Sequence, residues 1–174
     1  KIPKSTRDNH DELKFGGVWN DENTVVYTVH SEKPSYWRVQ VYDIYTSDGW
    51  KSSPADIILS EPGIPWGNYS AGGADAVTYT VYPAMSTDVI LVGGTFITAD
   101  LPYLVYTSGG ELFTVTAPRL LQPGESYQVT TLMNTPPPDV LDAAGTDYPE
   151  DISRYLNLPP SLPPEVIKLA EEVT

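Results

Sequence analysis

Residues able to do chemistry are few in this 174-residue sequence, and they do not converge in it. The two imidazoles are His10, in a charged N-terminal stretch, and His30, at the end of an alternating segment. A Ser-His-Asp triad is recognised by geometry rather than order, but no G-x-S-x-G elbow presents a serine here. Asp43 and Asp48 flank one turn, and carboxylates held about 5–9 Å apart would be needed for glycoside hydrolysis. The commoner use of such residues is as hydrated strand-end and turn acids. Cysteine is absent, which removes a thiol nucleophile, a disulfide framework and a zinc–thiolate site.

Oxygen-rich clusters occur at Asp8, Asn9, Asp11 and Glu12, and again at Asp21, Glu22 and Asn23. Neither has the alternating acids, central glycine and distal glutamate of a calcium loop, so both read as solvated turns. Gly72-Gly73 and Gly93-Gly94 lie between strand-like segments and not ahead of a helix, which argues against a phosphate loop. The expectation is therefore no catalytic residue, no metal site and no cofactor. What remains is aromatic. Tyr36, Tyr42, Tyr45, Trp66 and Tyr69 are available to stack on a ligand such as a sugar, and the binding candidates are Trp66, Tyr69, Tyr36 and Tyr42. For Trp66 and Tyr69 the simpler reading is that they pin a long loop to a sheet. Asn68-Tyr69-Ser70 matches a glycosylation acceptor, which matters only in a eukaryotic secretory context.

The net charge of −13 disfavours nucleic acid and anionic lipid, both of which need clustered Lys and Arg. No apolar run approaches the roughly 20 residues of a membrane span. Lack of cysteine does not fix the compartment, since an extracytoplasmic bacterial domain need not carry disulfides.

The elements that would position these residues centre on Tyr36 to Trp50. Its first half alternates, with Trp37, Val39 and Val41 opposite Tyr36, Arg38, Gln40 and Tyr42; Asp48-Gly49 then signals a turn, followed by Trp50. Residues 24–30, 77–82, 88–92, 95–98, 103–107, 111–116 and 125–133 also read as strands. Gly93-Gly94 and Ser108-Gly109-Gly110 read as hairpin turns. Residues 51–76 read as one long irregular loop, and 1–23 as an N-terminal arm without regular structure. No amphipathic helix interrupts the strands, so a parallel βαβ sheet is disfavoured.

The expected class is mainly β: an antiparallel β-sandwich, immunoglobulin-like or a distorted barrel, with a short C-terminal helical extension. The expected organisation is an arm at 1–23, the sandwich at 24–133, a Pro-rich linker at 134–149 and a helical lead-in at 150–174. In the lead-in, Leu162, Val166, Leu169, Ala170 and Val173 form one apolar stripe. Glu171 and Glu172 sit where the helix dipole disfavours anions, and no glycine cap follows, so the helix reads as cut before its natural end.

Two separated segments resemble one family. Phe15-Gly16-Gly17, Thr24-Val-Val-Tyr-Thr-Val, Tyr36-Trp-Arg-Val-Gln-Val-Tyr-Asp-Ile-Tyr and Gly49-Trp50 resemble the extracytoplasmic region of bacterial membrane-anchored transglutaminase-like proteins. Tyr155-Leu-Asn-Leu-Pro, Leu162-Pro and Leu169-Ala170 resemble the lead-in to the catalytic core of those proteins. The middle, 51–150, carries little of the resemblance, and Thr46-Ser47-Asp48-Gly49 departs from the family's more usual Tyr-Asp-Gly-type turn.

The resemblance implies a periplasmic or cell-surface domain, tethered through a membrane segment and followed in the same chain by a Cys-His-Asp papain-like core. That core would be a transglutaminase-like acyltransferase or a cysteine peptidase. Its catalytic residues have no counterparts here. Trp37, Arg38, Gly49 and Trp50 carry over as structural positions, as do Tyr36 and Tyr42. The functional expectation is a non-catalytic scaffold or substrate-docking domain, whose partners are the following core and a protein substrate; the alternative is a stand-alone carbohydrate or cell-wall binding module.

Overall fold

A computed structural model describes residues 12–16, 23–67, 75–134, 136–145 and 147–173. In chain order its strands are β1 (Glu12–Lys14), β2 (Tyr27–His30), β3 (Trp37–Arg38), β4 (Ile44–Thr46), β5 (Gly49–Lys51), β6 (Asp56–Ser60) and β7 (Asp75–Pro83). There follow β8 (Thr87–Ile90), β9 (Val92–Gly93), β10 (Thr95–Ala99), β11 (Tyr103–Ser108), β12 (Glu111–Leu121) and β13 (Tyr127–Met133). Helix α1 (Pro138–Asp142), a 3-10 helix (Glu150–Leu156) and α2 (Pro164–Val173) complete the elements. The protein is mainly β, its sheets are antiparallel, and the architecture is sandwich-like and not a closed barrel. The described residues divide into two units: 23–41 with 55–145, and 12–16 with 42–54 and 147–173.

The first unit holds the core. Its two large sheets run β10-β13-β7-β2 and β6-β11-β12-β8, with a small ladder of β3 on β9. In β7, Val77, Tyr79 and Val81 are buried while Thr78 and Tyr82 on the opposite side are exposed, the period-2 pattern of a half-buried strand. In β13, Tyr127, Val129 and Met133 do the same. Tyr79, Tyr103, Tyr127, Phe96 and Phe113 are the largest fully buried side chains. An aromatic ring burying about 150–250 Å2 stabilises by about 4–6 kcal/mol before the entropy of ordering it is subtracted. In the middle of β12, Phe113 through Ala117 are all buried, so both faces of that strand are covered. One cover is the segment after β3: the Thr114 hydroxyl donates to the Val39 carbonyl (2.7 Å) and the Val41 N–H donates to the Phe113 carbonyl (2.9 Å).

Four local expectations are corrected. Tyr36 to Tyr42 is not one long strand: regular pairing stops at Arg38, and Val39 to Val41 use their backbone groups on β12. Gly93-Gly94 is not a hairpin. β8 pairs with β12, whereas β10 pairs with β13, so the chain changes sheets between them. Two buried tyrosines make that crossing possible, supplying the hydrogen bonds that a neighbouring strand would otherwise give. The Tyr79 hydroxyl donates to the Leu91 carbonyl and accepts from the Gly93 N–H, while the Tyr127 hydroxyl accepts from the Leu91 N–H, all at 2.9 Å. Burial raises the ionisation of both phenols well above the ordinary tyrosine value, against the smaller opposing effect of these same backbone bonds. Glycine is required at 93 because a Cβ there would lie 2.6 Å from Cζ3 of Trp37. Residues 51–76 are not wholly irregular, since β6 lies within them and pairs with β11 from Ser60↔Tyr103 to Asp56↔Thr107. Finally, Glu12–Lys14 forms a strand where no regular element was expected. The hairpin through Ser108-Gly109-Gly110 forms as expected, joining β11 to β12.

In the second unit β5 lies between β1 and β4, with Trp50 opposite both Leu13 and Tyr45. Tyr45 stacks at a tilt on Trp50 and on Phe15, with ring centroids 5.0 Å and 6.0 Å apart. The Phe15 N–H donates to the Asp48 carbonyl (2.7 Å), closing the strand onto the turn. A Cβ on Gly49 would run into the Leu13 carbonyl and come within 2.8 Å of Lys14 Cα, so only glycine lets β1 approach this closely. Helix α2 begins at Pro164, where a missing N–H costs nothing, and ends at Val173 with none of its residues buried.

Candidate functional site

Among the described residues of the first unit, one cleft has a volume of about 460 Å3. Arg38, Trp66, Phe96, Glu111 and Leu112 line it, with the backbone of Gly67, Gly94 and Gly110 and the side of Thr95. Each polar or aromatic group is held by the fold. Arg38 is fixed through β3, where it faces Val92 of β9. Trp66 is fixed by its N–H donating to the Ile97 carbonyl (2.8 Å) and by packing against the core. Glu111 opens β12 beside the hairpin turn, where its carbonyl accepts from the Thr107 hydroxyl (2.7 Å).

Arg38 and Glu111 face one cleft without forming an ion pair with each other or with any other described residue. The Arg38 charge lies close enough to Tyr79 to oppose, weakly, the rise that burial imposes on that phenol. The site thus combines a guanidinium with five N–H donors, an accepting carboxylate, a half-buried indole and an apolar floor. A ligand presenting hydroxyls and one flat apolar face meets all of these.

Of the residues singled out from sequence, Arg38 and Trp66 come together here. Trp66 both pins its segment and lines the cleft. Trp37, the neighbour of Arg38, points the other way and packs edge-on to Tyr79 with centroids 4.7 Å apart, which makes it a core residue. Tyr36 is 97% exposed and stands clear of the cleft lining. Tyr42, Gly49 and Trp50 belong to the second unit, and Tyr69 lies outside the described residues, as does His10. Glu111, Leu112, Thr95 and Phe96 were not legible as site residues. The Ser108-Gly109-Gly110 turn marked where Glu111 would begin a strand, but nothing local in sequence brings that hairpin beside Arg38.

The carboxylates considered for glycoside chemistry do not pair. Asp43 is buried in the second unit, accepting from the Ser53 N–H (2.8 Å) and the Ser53 hydroxyl (2.7 Å), whereas Asp48 sits in the exposed turn. Asp43 is instead a structural anchor. Arg154 of the 3-10 helix approaches it at 3.7 Å and lies over the Tyr155 ring, 5.0 Å from its centroid. Among the described residues no group of three or more His, Cys, Asp or Glu is arranged to hold a metal, and no helix is long and apolar enough to cross a membrane.

No family model, no curated protein and no solved structure matches the chain.

Proposed function

We propose that this chain is a non-catalytic, extracytoplasmic scaffold or substrate-docking domain of a membrane-anchored transglutaminase-like protein, whose chemistry belongs to a core outside these residues. One observation carries the reading. Part of each sequence segment behind the family resemblance, Phe15-Gly16 with Tyr42 to Tyr45 and Gly49-Trp50, and Tyr155 to Pro159, falls in one compact unit although more than 100 positions separate the two. Within that unit the buried Asp43 ties the 3-10 helix, through Arg154, to the β1-β5-β4 sheet. A lead-in fastened this way is a firm seat for whatever follows it. Helix α2 continues from this seat with Val166, Leu169 and Val173 at 49%, 59% and 74% exposure, an apolar stripe open to cover by a core. The test is amine incorporation into a glutamine-bearing protein, and peptidase activity, measured on this chain alone. Rates equal to the uncatalysed background are expected, and turnover above it would defeat the proposal.

The cleft favours a second reading, a carbohydrate-binding module in which a sugar ring lies on Trp66 while its hydroxyls bridge Arg38 and Glu111. A neutral glycan also suits a chain of net charge −13 better than an anionic one does. Titrating soluble cell-wall glycans while following Trp fluorescence, in the native chain and in Trp66→Phe, tests it. A saturable shift lost in the variant supports this reading; no shift in the native chain removes it.

A further inference from the structure

The two large sheets end in four outer strands, β10 and β2 in one and β6 and β8 in the other. An open edge is a template for another strand, and proteins usually blunt it with cover, charge, proline or a bulge. Three of these edges are so managed. β10 carries a register shift between Phe96 and Thr98, and its free side receives N–H groups from Gly63 and Trp66, each at 2.8 Å. β8 is only four residues long, and the Val89 N–H is turned back onto the Thr87 hydroxyl. β2 is equally short and exposes only polar residues, Thr28 and His30.

β6 is different. It runs five residues in unbroken register with β11, contains no proline, glycine or lysine, and among the described residues nothing pairs with its outer side. Ile57, Ile58 and Leu59 are consecutive and are 46%, 45% and 59% exposed. Successive strand residues point to opposite faces, so apolar surface is open on both faces of the strand at once. Alternate residues also direct N–H and C=O groups away from β11. Acidic residues bracket the strand, Asp56 at its start and Glu61 just past its end, and neither is in an ion pair among the described residues.

We propose that β6 is a strand-addition site, which accepts an extended apolar segment of a partner protein carrying basic residues at its ends. The apolar triplet supplies contact on both faces, the open backbone supplies a ladder, and Asp56 and Glu61 select the flanks of the incoming strand. A second copy of this chain is the wrong occupant. It would bring its own Asp56 and Glu61 to the same junction and set one net charge of −13 against another. This inference stands apart from the transglutaminase-like reading, because it uses only the edge of one sheet.

The test uses a fluorescent peptide, Lys-Lys-Val-Thr-Ile-Thr-Val-Lys-Lys, titrated with the whole chain and followed by anisotropy. Saturable binding is expected. It should weaken by about tenfold or more when Glu replaces the four Lys residues, and be lost when the peptide nitrogens are methylated along both edges, since methylation of one edge leaves the other free to pair. Leu59→Lys and Ile58→Lys, both at exposed positions, should abolish it while leaving the unfolding temperature within a degree or two of the native chain. Three results would overturn the proposal: no saturable binding by the native chain, equal binding of the peptide methylated along both edges, or undiminished binding by folded variants. A concentration-dependent dimer that Leu59→Lys dissociates would overturn it as well, assigning the edge to a second copy. If a variant fails to fold, the methylated peptide on the native chain decides the matter alone.

Discussion

Removing one hydroxyl, in Tyr79→Phe, tests how the chain passes from one sheet to the other. The ring stays, and with it the contact with Trp37, so the packing of the core is preserved. What disappears is the oxygen that bonds both the Leu91 carbonyl and the Gly93 N–H, each at 2.9 Å, in a region where Leu91 is 4% exposed and Val92 is 2% exposed. A buried polar group stripped of its partner costs about 1–3 kcal/mol. Taking about 2 kcal/mol, and about 2–4 °C per kcal/mol for a chain of this size, the melting temperature falls by about 4–8 °C. Thermal unfolding followed by circular dichroism measures this, with Tyr82→Phe as the control. Tyr82 is 39% exposed and faces away from the core, so the control should change little. A Tyr79→Phe loss no larger than that of the control would refute the argument that the hydroxyl substitutes for a missing strand.

Three further outcomes follow from other parts of the molecule. Gly49→Ala should separate β1 from β5, because its Cβ collides with the backbone of Leu13 and Lys14; amide exchange across 12–14 and 49–51 should accelerate while the first unit keeps its protection. Asp43→Ala should leave the Ser53 N–H and hydroxyl without their acceptor and remove the carboxylate that faces Arg154, at a cost of about 3 kcal/mol confined to the second unit, and native-state exchange of the 3-10 helix would register it. Glu125 is held down to about 2, first by its two bonds to the Arg119 guanidinium and then by the Gln122 N–H. Its folded value lies below the unfolded one, so its contribution is present above about pH 4.5 and is lost as pH falls towards 2; Glu125→Gln should flatten stability across that window, and a carboxyl NMR titration should find the low midpoint.

The parts of the fold that were legible in sequence were those set by local rules. Alternation placed Val77, Tyr79 and Val81 on an inner face, and Gly109-Gly110 placed a hairpin, because period and turn chemistry act over a few residues. The Gly93-Gly94 misreading has a physical source. A glycine pair between two apolar runs looks the same whether it turns a hairpin or lets Trp37 press against the backbone, and only the distant Tyr79 and Tyr127 decide which. β6 was hidden for a related reason. Asp-Ile-Ile-Leu-Ser does not alternate, since an outer strand exposed on both faces has no inner face to mark. Of the cleft, Trp66 was visible as a binding candidate and Arg38 only as a structural position; their meeting with Glu111 depends on the pairing of β3 with β9, a contact between residues far apart in sequence, which sets Arg38 beside a hairpin that is itself local.

The scaffold proposal makes its sharpest claim about α2, whose exposed Val166, Leu169 and Val173 should be the surface on which a catalytic core rests. The deciding measurement is amide exchange of 164–173, compared between this chain and a polypeptide that continues through the core we propose. Covering three side chains at about 1.5 kcal/mol or more each should slow exchange there by about a hundredfold or more. Exchange at equal rates in the two, with the longer polypeptide folded and active, would contradict the account.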